Sequence, residues 1–283
     1  MADKVWTVGS ILKWTEQYFR EKGIESARLD AEVLLSHVLE KERIFLYVHF
    51  DEPLVAEELA AYKSAIKRRI GHEPVAYITG TKEFMGLPFR VTPEVLIPRP
   101  DTEILVEAVL KRLPQGVSRL ADIGTGSGAI AVSLAANNEE LSIEAVDISP
   151  AALKVAAENA VALGTVERVS FLEGDMLAPL SGTYQAVVSN PPYIPRADML
   201  TLEPDVKDYE PQGALFGGED GLDFYRQLAG CGEFLAEGGF VAVEVGIGEA
   251  EAVAALFTSK GLVRPEIIKD YAGIDRVVIA WKE

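Results

Sequence analysis

The 283-residue chain predicts an α/β protein, with an open, largely parallel sheet flanked by helices and preceded by a helical segment and a hairpin. Three observations predict it. From Arg119 onward, short apolar runs alternate with helix-length segments, the rhythm of βαβ units. The first run, Leu120 to Ile123, opens directly into Gly124-Thr125-Gly126-Ser127-Gly128. The run Ala186-Val187-Val188, apolar throughout like a strand buried on both faces, stops abruptly at Ser189-Asn190-Pro191-Pro192-Tyr193.

Residues 1 to about 70 read as helices. Val8, Ile11, Leu12 and Phe19 form a stripe that Gly23 ends. Ser26 reads as the N-cap of Ala27 to Leu39, with Val33, Leu34, Leu35, Val38 and Leu39 turned inward. A short segment, Ile44 to Phe50, follows. Leu59, Tyr62, Ile66 and Ile70 then recur at helical spacing until Gly71. Lys63, Lys67, Arg68 and Arg69 cluster there and read as a solvated face. Val75 to Thr79 and Pro88 to Val91 are strand-like, with Gly80 and Gly86 as turns, so a β-hairpin linker is expected. The division is 1–72 helical, 73–95 hairpin and 96–283 sheet domain. In Leu96-Ile97-Pro98-Arg99-Pro100-Asp101-Thr102-Glu103, either Asp101 or Thr102 can cap a helix from Glu103 to Leu113. Arg99, set between prolines, is either a rigidly held functional cation or a surface arginine.

In the sheet domain, the helix Ala129 to Ala136 follows the glycines, and the strand Leu141 to Val146 ends at Asp147. Alternate glycines let backbone approach a ligand, with N–H groups at the helix start pointing toward it. Asp147 lies about 20 residues on, the spacing at which an acid meets ribose hydroxyls. Ser149-Pro150 opens a helix to about Leu163. The strand Arg168 to Leu172 runs out into Glu173-Gly174-Asp175-Met176, placing another acid near the strand ends. A long acidic loop covers Pro195 to about Asp220, a length that is usually functional or disordered. A helix Leu222 to Leu235, a strand Phe240 to Val245, a helix Glu249 to Lys260 and strands near Glu266–Ile268 and Arg276–Trp281 complete the chain.

Asn190 therefore falls at the carboxyl end of a buried strand, where open α/β sheets bind ligands. Its amide both donates and accepts. Pro191 has a carbonyl but no competing N–H, and Tyr193 can cover a flat group. Together they form a slot for an –NH2 group. The plainer reading is a Pro-Pro turn after a strand. Gly-x-Gly-x-Gly alone is weak evidence. Its recurrence with Asp147, Asp175 and Asn190 after successive strands is strong.

Composition narrows the function. The net charge of −17 disfavours a nucleic-acid backbone as substrate and suits a basic protein partner. No stretch reaches the roughly 18 apolar residues of a membrane helix. Met1-Ala2-Asp3-Lys4 lacks a secretory layout. The single Cys231 excludes an intramolecular disulfide, reads as packing rather than nucleophile, and fits a reduced, cytoplasmic setting. His37, His49 and His72 show no metal spacing.

The set Asp122-Ile123-Gly124-Thr125-Gly126-Ser127-Gly128, Asp147, Gly174-Asp175 and Asn190-Pro191-Pro192-Tyr193 resembles the Rossmann-like class I methyltransferases that use S-adenosylmethionine. The Asn-Pro-Pro-Tyr motif is typical of members that methylate an –NH2 group, of adenine or of glutamine. Ala27-Arg28-Leu29-Asp30-Ala31-Glu32, Glu73 to Gly80, Leu96 to Glu103 and Gly217-Gly218-Glu219-Asp220-Gly221-Leu222 resemble the PrmC/HemK family, across nearly the whole chain. That family methylates the glutamine of the Gly-Gly-Gln tripeptide in peptide chain release factors, in translation termination.

The resemblance implies an N-terminal helical bundle for substrate recognition, a β-hairpin, and a seven-stranded sheet whose final strand is antiparallel. It implies S-adenosyl-L-methionine held by Gly124, Thr125, Gly126, Ser127, Gly128, Asp147, Ile148, Asp175, Met176 and Asn190. Asp147 would take the ribose hydroxyls and Asp175 the adenine amine. Met176 stands where many relatives carry an aromatic, which weakens adenine stacking. Asn190, Pro191 and Tyr193 would be catalytic, and Asn190, Pro191, Pro192, Tyr193 and Arg99 would meet the substrate. No metal is expected, and the partner is a release factor met by a monomer, with no direct nucleic acid and no membrane. Two alternatives stand beside this. An adenine-amino methyltransferase calls for a basic groove or an appended recognition domain. A non-catalytic cofactor-binding protein has no use for Asn190 and Tyr193.

Overall fold

A computed structural model describes residues 5–116 and 118–283. Met1 to Lys4, read above for a secretory layout, lie outside the described residues. The chain forms two compact units. One runs to Gly80 and includes Pro204–Tyr209, and the other holds Thr81–Glu203 and Glu210–Glu283.

The first unit contains α1 (Val8–Glu21), α2 (Ala27–Leu39), α3 (Arg43–Val48), α4 (Ala56–Ile70) and α5 (Val75–Thr79). Val8, Ile11, Phe19, Leu34, Leu35, Leu46, Tyr62 and Ile66 share its core, and the Tyr62 hydroxyl donates to the Ala31 carbonyl at 3.0 Å. Ser26 does not cap α2. Its hydroxyl donates to Asp30, which holds Arg69 at 2.6 Å. Arg69 is thus buried between Asp30 and Asp205, not on the solvated face expected for it. A buried guanidinium needs such partners, because unpaired it would carry a large desolvation cost. Glu32 is buried too, and accepts from Arg28, Arg43 and Tyr47.

Val75–Thr79 is a helical turn and not a strand. Pro74 precedes it, Gly80 ends it in the left-handed region, and the Arg68 guanidinium donates to the carbonyls of Tyr77 and Ile78. The hairpin forms one step later, as β1 (Thr81–Phe84) paired with β2 (Leu87–Arg90), and it belongs to the second unit.

In the second unit, α6 (Pro100–Leu110) precedes β3 (Ser118–Ile123), α7 (Ala129–Asn137), β4 (Leu141–Asp147), α8 (Pro150–Ala162), β5 (Val169–Glu173) and β6 (Tyr184–Ser189). The four-residue α9 (Pro204–Lys207) belongs to the first unit. Then come α10 (Asp223–Leu228), β7 (Leu235–Glu244), α11 (Ala250–Ser259), β8 (Val263–Lys269) and β9 (Asp275–Trp281). The expected helix over Leu222–Leu235 stops at Leu228. Gly230 and Gly232 lie in the 3₁₀ segment that follows, and Leu235 already pairs with Tyr184 as strand.

The sheet order is β5-β4-β3-β6-β7-β9-β8, and β9 runs against the other six described strands of this sheet. Strand residues alternate between two cores. Leu120, Ala186, Val188 and Ala242 face one, while Ala121, Ile123, Val187 and Val241 face the other. Burial on both faces explains why these runs are apolar throughout. The strand order reverses between β3 and β6. Such a reversal is where the loops after neighbouring strands diverge and open α/β sheets bind ligands.

Asn159 of α8 ties the hairpin to the glycine loop. Its Oδ1 accepts from Arg90 N at 2.8 Å, and its Nδ2 donates to Arg90 O at 3.0 Å and Ser127 O at 2.8 Å. The side chain is buried, so Asn159→Ala would leave three backbone groups without partners. The expected loss is about 2–4 kcal/mol in urea unfolding of the full chain. A change below about 0.5 kcal/mol would show that the clamp does not matter.

Candidate active site at the carboxyl ends of β3, β4, β5 and β6

The Gly124–Gly128 loop follows β3. Gly124, Gly126 and Gly128 all have left-handed φ, at 74°, 56° and 79°. A side chain at Gly128 would press on Ala156 of α8, whereas positions 124 and 126 face open space. Four of the five N–H groups in Gly124–Gly128 already have partners within the protein. Gly124 and Thr125 donate to Val146 O, Gly128 to Thr125 O, and Gly126 to Asp147 Oδ2 at 2.9 Å. The loop therefore offers clearance more than hydrogen bonds.

Asp147 ends β4 beside it. Its Oδ1 accepts from Ser149 N at 2.9 Å, so each carboxylate oxygen holds one backbone N–H and keeps further acceptor capacity. Ile148, next along, is exposed. Ser149 caps α8 by accepting from Ala152 N. Asp175 is exposed, and Met176 adopts a left-handed φ of 49° and packs on the second core. The sheet order sets these segments side by side along one edge. The Asp175 segment follows β5, Asp147 ends β4, the glycines follow β3, and Asn190 follows β6.

Asp122 lies beneath the glycines at 1% exposure. Its Oδ2 accepts from Thr125 Oγ1 at 2.7 Å and Ala131 N at 3.2 Å, while Oδ1 is buried without a partner among the described residues. Burial is the main force on this carboxyl and pushes it up to about 7; the two hydrogen bonds oppose the shift. The open space at positions 124 and 126 beside this carboxyl leaves room for a bulky ligand against the glycine loop.

At the end of β6, Asn190 Nδ2 donates to Thr102 Oγ1 at 3.1 Å. Among the described residues Asn190 Oδ1 accepts no hydrogen bond, and neither does the carbonyl of the buried Pro191. Pro192 and Tyr193 are half-buried. Burial above all holds the Tyr193 hydroxyl well above its usual range, so the ring stays neutral. The Gly-Gly-Glu-Asp-Gly segment wraps this turn. Gly217 N donates to Ile194 O, and a side chain at Gly217 would strike the Tyr193 backbone at 2.7 Å. Arg99 immediately precedes α6 and pairs with Glu210, whose Oε2 also accepts from Ile97 N. The long loop is thus tied back at Glu210 rather than disordered. Neither Asp101 nor Thr102 caps α6. The helix starts at Pro100, and Thr102 faces inward.

A buried chain behind Asn190 has no signature in local sequence. Thr102 Oγ1 donates to Glu244 Oε2 at 2.6 Å, and Glu244 ends β7 at 1% exposure. The Tyr225 hydroxyl donates to the Glu244 carbonyl at 2.9 Å. Nearby Arg276 pairs with Asp101 and Asp270, both at 3.1 Å. Cys231 is buried and its thiol is pushed up to about 12, as packing requires.

Comparison with known proteins was decided by full-length relatives. The release factor glutamine methyltransferase of Geobacter sulfurreducens is 48% identical over 277 residues, covering 97% of this chain and 96% of its own. The chain belongs to the release factor glutamine methyltransferase family. The Moorella thermoacetica member is also 48% identical, over 92% of this chain and 93% of its own. Family models described as PrmC N-terminal domain and methyltransferase small domain match residues 10–80 and 100–202. The crystal structure of a methyltransferase from Pyrococcus furiosus superposes with a TM-score of 0.55 at 20% identity, covering 78% of this chain and 98% of that one. It shares the class I methyltransferase fold.

Asp122 supplies a pH test of the cradle. The folded protein keeps its proton up to about pH 7, whereas the unfolded chain loses it near 3.8. Between those values the unfolded state binds fewer protons, so this group's contribution to stability falls as pH rises and levels off above about 7. Relative to the parent, Asp122→Asn should therefore gain about 2–4 kcal/mol between pH 4 and 7 in ligand-free urea unfolding. A gap that does not change with pH would contradict the buried, protonated Asp122.

Proposed function

We propose that this protein transfers a methyl group from S-adenosylmethionine to the side-chain amide nitrogen of the glutamine in the Gly-Gly-Gln motif of peptide chain release factors. The observation that carries this reading is the pair of open acceptors, Asn190 Oδ1 and Pro191 O, at the end of β6 beside the glycine cradle. The relatives' name points to the same substrate.

When bound, the cofactor supplies an electrophilic methyl on a sulfonium that leaves as a neutral thioether. Gly124 and Gly126 would give it clearance, Gly128 would let the loop close against α8, and Thr125 and Ser127 would line the loop. Asp147 would use its remaining lone pairs for ribose hydroxyls. Ile148 and Met176 would flank the adenine, and Asp175 would accept from its amine.

A carboxamide nitrogen is a poor nucleophile, since its lone pair is delocalised into the carbonyl. Two acceptors, Asn190 Oδ1 and Pro191 O, take its two N–H bonds. They fix the plane of the amide and favour lone-pair density on the third side. Pro192 and Tyr193 would cover the substrate amide and exclude water. Arg99 would position the rim of the slot through Glu210, with its remaining N–H groups facing the substrate chain. Once the N–CH3 bond forms and the S–CH3 bond breaks, the methylated amide is strongly acidic and gives up one of its two N–H protons, by way of the accepting oxygens, to water; no residue need act as a strong base, and the neutral Tyr193 fits that requirement.

The helical unit would make the second contact with the release factor. In support, it carries an aromatic groove of about 410 Å³ that includes Trp6, Trp14, Tyr18, Lys63 and Lys67. Among the described residues no helix is long and apolar enough to cross a membrane. We place the enzyme in the cytoplasm, acting as a monomer on protein without touching nucleic acid.

The experiment supplies labelled S-adenosylmethionine in parallel with a release factor, an adenine-containing DNA and no substrate. Label should enter the release factor alone. Asn190→Ala should cut kcat at least about 100-fold while cofactor affinity stays within about threefold, because the lost bond matters most to the attacking nitrogen. Label in DNA, or near-normal turnover of Asn190→Ala, would overturn the reading.

A further inference from the structure

A side-chain amide has two ends of nearly the same size and opposite character. Presented as C=O, Asn190 accepts from an incoming –NH2. Turned over, it would oppose that group with its own N–H bonds. Something must choose the face, and the neighbours in sequence do not: the Ser189 hydroxyl is spent on Ile123 O at 2.7 Å, and two prolines follow.

We propose that Thr102, backed by the buried Glu244 carboxylate, is a positioning pair that aims Asn190 Oδ1 at the substrate nitrogen. The supply of protons sets the direction of each bond. Thr102 has one hydroxyl proton, and it goes to Glu244 Oε2 at 2.6 Å. Only lone pairs then remain on Thr102 Oγ1, so the group 3.1 Å away must be a donor, and it is Asn190 Nδ2. Turning Asn190 over would set its oxygen against those lone pairs. Thr102 would then have to donate to Asn190 and leave a buried carboxylate oxygen short of a donor. The direction of the whole chain follows from Glu244, which as a carboxylate can only accept.

The rest of the Arg-Pro-Asp-Thr-Glu segment serves the same end. Pro100 starts α6. Asp101 pairs with Arg276, and Glu103 Oε1 accepts from Met85 N of the hairpin at 2.7 Å. Arg99 holds Glu210. Each contact fixes the position of α6, and α6 carries Thr102.

The groups facing Glu244 are Thr102 and Asp101 from α6, Arg276 from β9, Asn190 and Tyr193 after β6, and Tyr225 from α10. Burial pushes the Glu244 carboxyl up to about 7; Thr102, Arg276 and a direct hydrogen bond from Asn190 pull against that, and Asp101 adds to it. When protonated, Glu244 can donate to Thr102 Oγ1. Thr102 is then free to donate to Asn190, and the choice of face is lost. Turnover should fall as pH drops through this range.

The inference rests on the role given to Asn190 above, and the test separates the two. Thr102→Val removes the hydroxyl at nearly constant volume, and Thr102→Ser restores it. Thr102→Val should lower kcat about 30-fold or more, with KM for the release factor and cofactor affinity each within about threefold, and Thr102→Ser should recover most of the rate. Glu244→Gln keeps an acceptor for Thr102 but cannot titrate, so its kcat should lose the acid-side fall near pH 7 that the parent shows. A Thr102→Val enzyme within about threefold of parental kcat, a loss in KM alone, or parallel pH profiles for parent and Glu244→Gln would each overturn the inference. If Asn190→Ala is inactive in those cases, the slot reading stands and only the positioning pair falls. If Asn190→Ala is active, both fall.

Discussion

The middle of β6, Ala186-Val187-Val188, is buried on both faces and apolar, and the polar groups of Tyr184, Gln185 and Ser189 are held by Glu144, Arg119 and Ile123, so β6 presents open acceptors only where it stops. It stops at Asn190, and the two prolines that follow supply no backbone donor. The turn therefore contributes oxygens and no competing N–H groups. Its geometry must be held from outside. The contacts come from α6, the end of β7 and the Gly217 segment, through Thr102, Glu244 and the Ile194–Gly217 pairing. Much of the second unit can be read as support for one amide at one strand end.

Two buried carboxyls sit under this edge with opposite arrangements. Asp122 leaves an oxygen without a partner beneath the glycine cradle, whereas Glu244 has Thr102 on one oxygen and Arg276 close by. Burial raises both toward neutrality. Unpaired buried charge is costly, and such groups persist where the surrounding structure or a ligand uses them. The cofactor half and the acceptor half of the crevice are thus each backed by one acid. The two halves meet where the sheet order reverses.

The sheet and the edge of the site were legible because their signals are local. Asp147, the glycines and Asn190 each follow an apolar run that can only be a strand, and the parallel order then sets them side by side. What was not legible depends on contacts between distant residues. Thr102 reaches Glu244 across 142 positions, and Arg90 reaches Asn159 across 69. Arg69 looked like one of four solvated cations until Asp30 and Asp205 closed on it. Val75–Thr79 has strand-forming residues, yet Pro74, Gly80 and the Arg68 guanidinium make it a helical turn. The N–H groups of Gly124, Thr125, Gly126 and Gly128 are likewise spent on Val146, Asp147 and Thr125, contacts that no local pattern announces.

The central claim is that the end of β6 reads an –NH2 group through two oxygens. The most direct measurement is a crystal structure of the protein with S-adenosylhomocysteine and a Gly-Gly-Gln peptide. The account predicts the glutamine amide nitrogen within about 3.2 Å of both Asn190 Oδ1 and the Pro191 carbonyl, with Asn190 Nδ2 still on Thr102. A glutamine whose nitrogen is bonded elsewhere, or an Asn190 turned to present its own N–H groups, would contradict it.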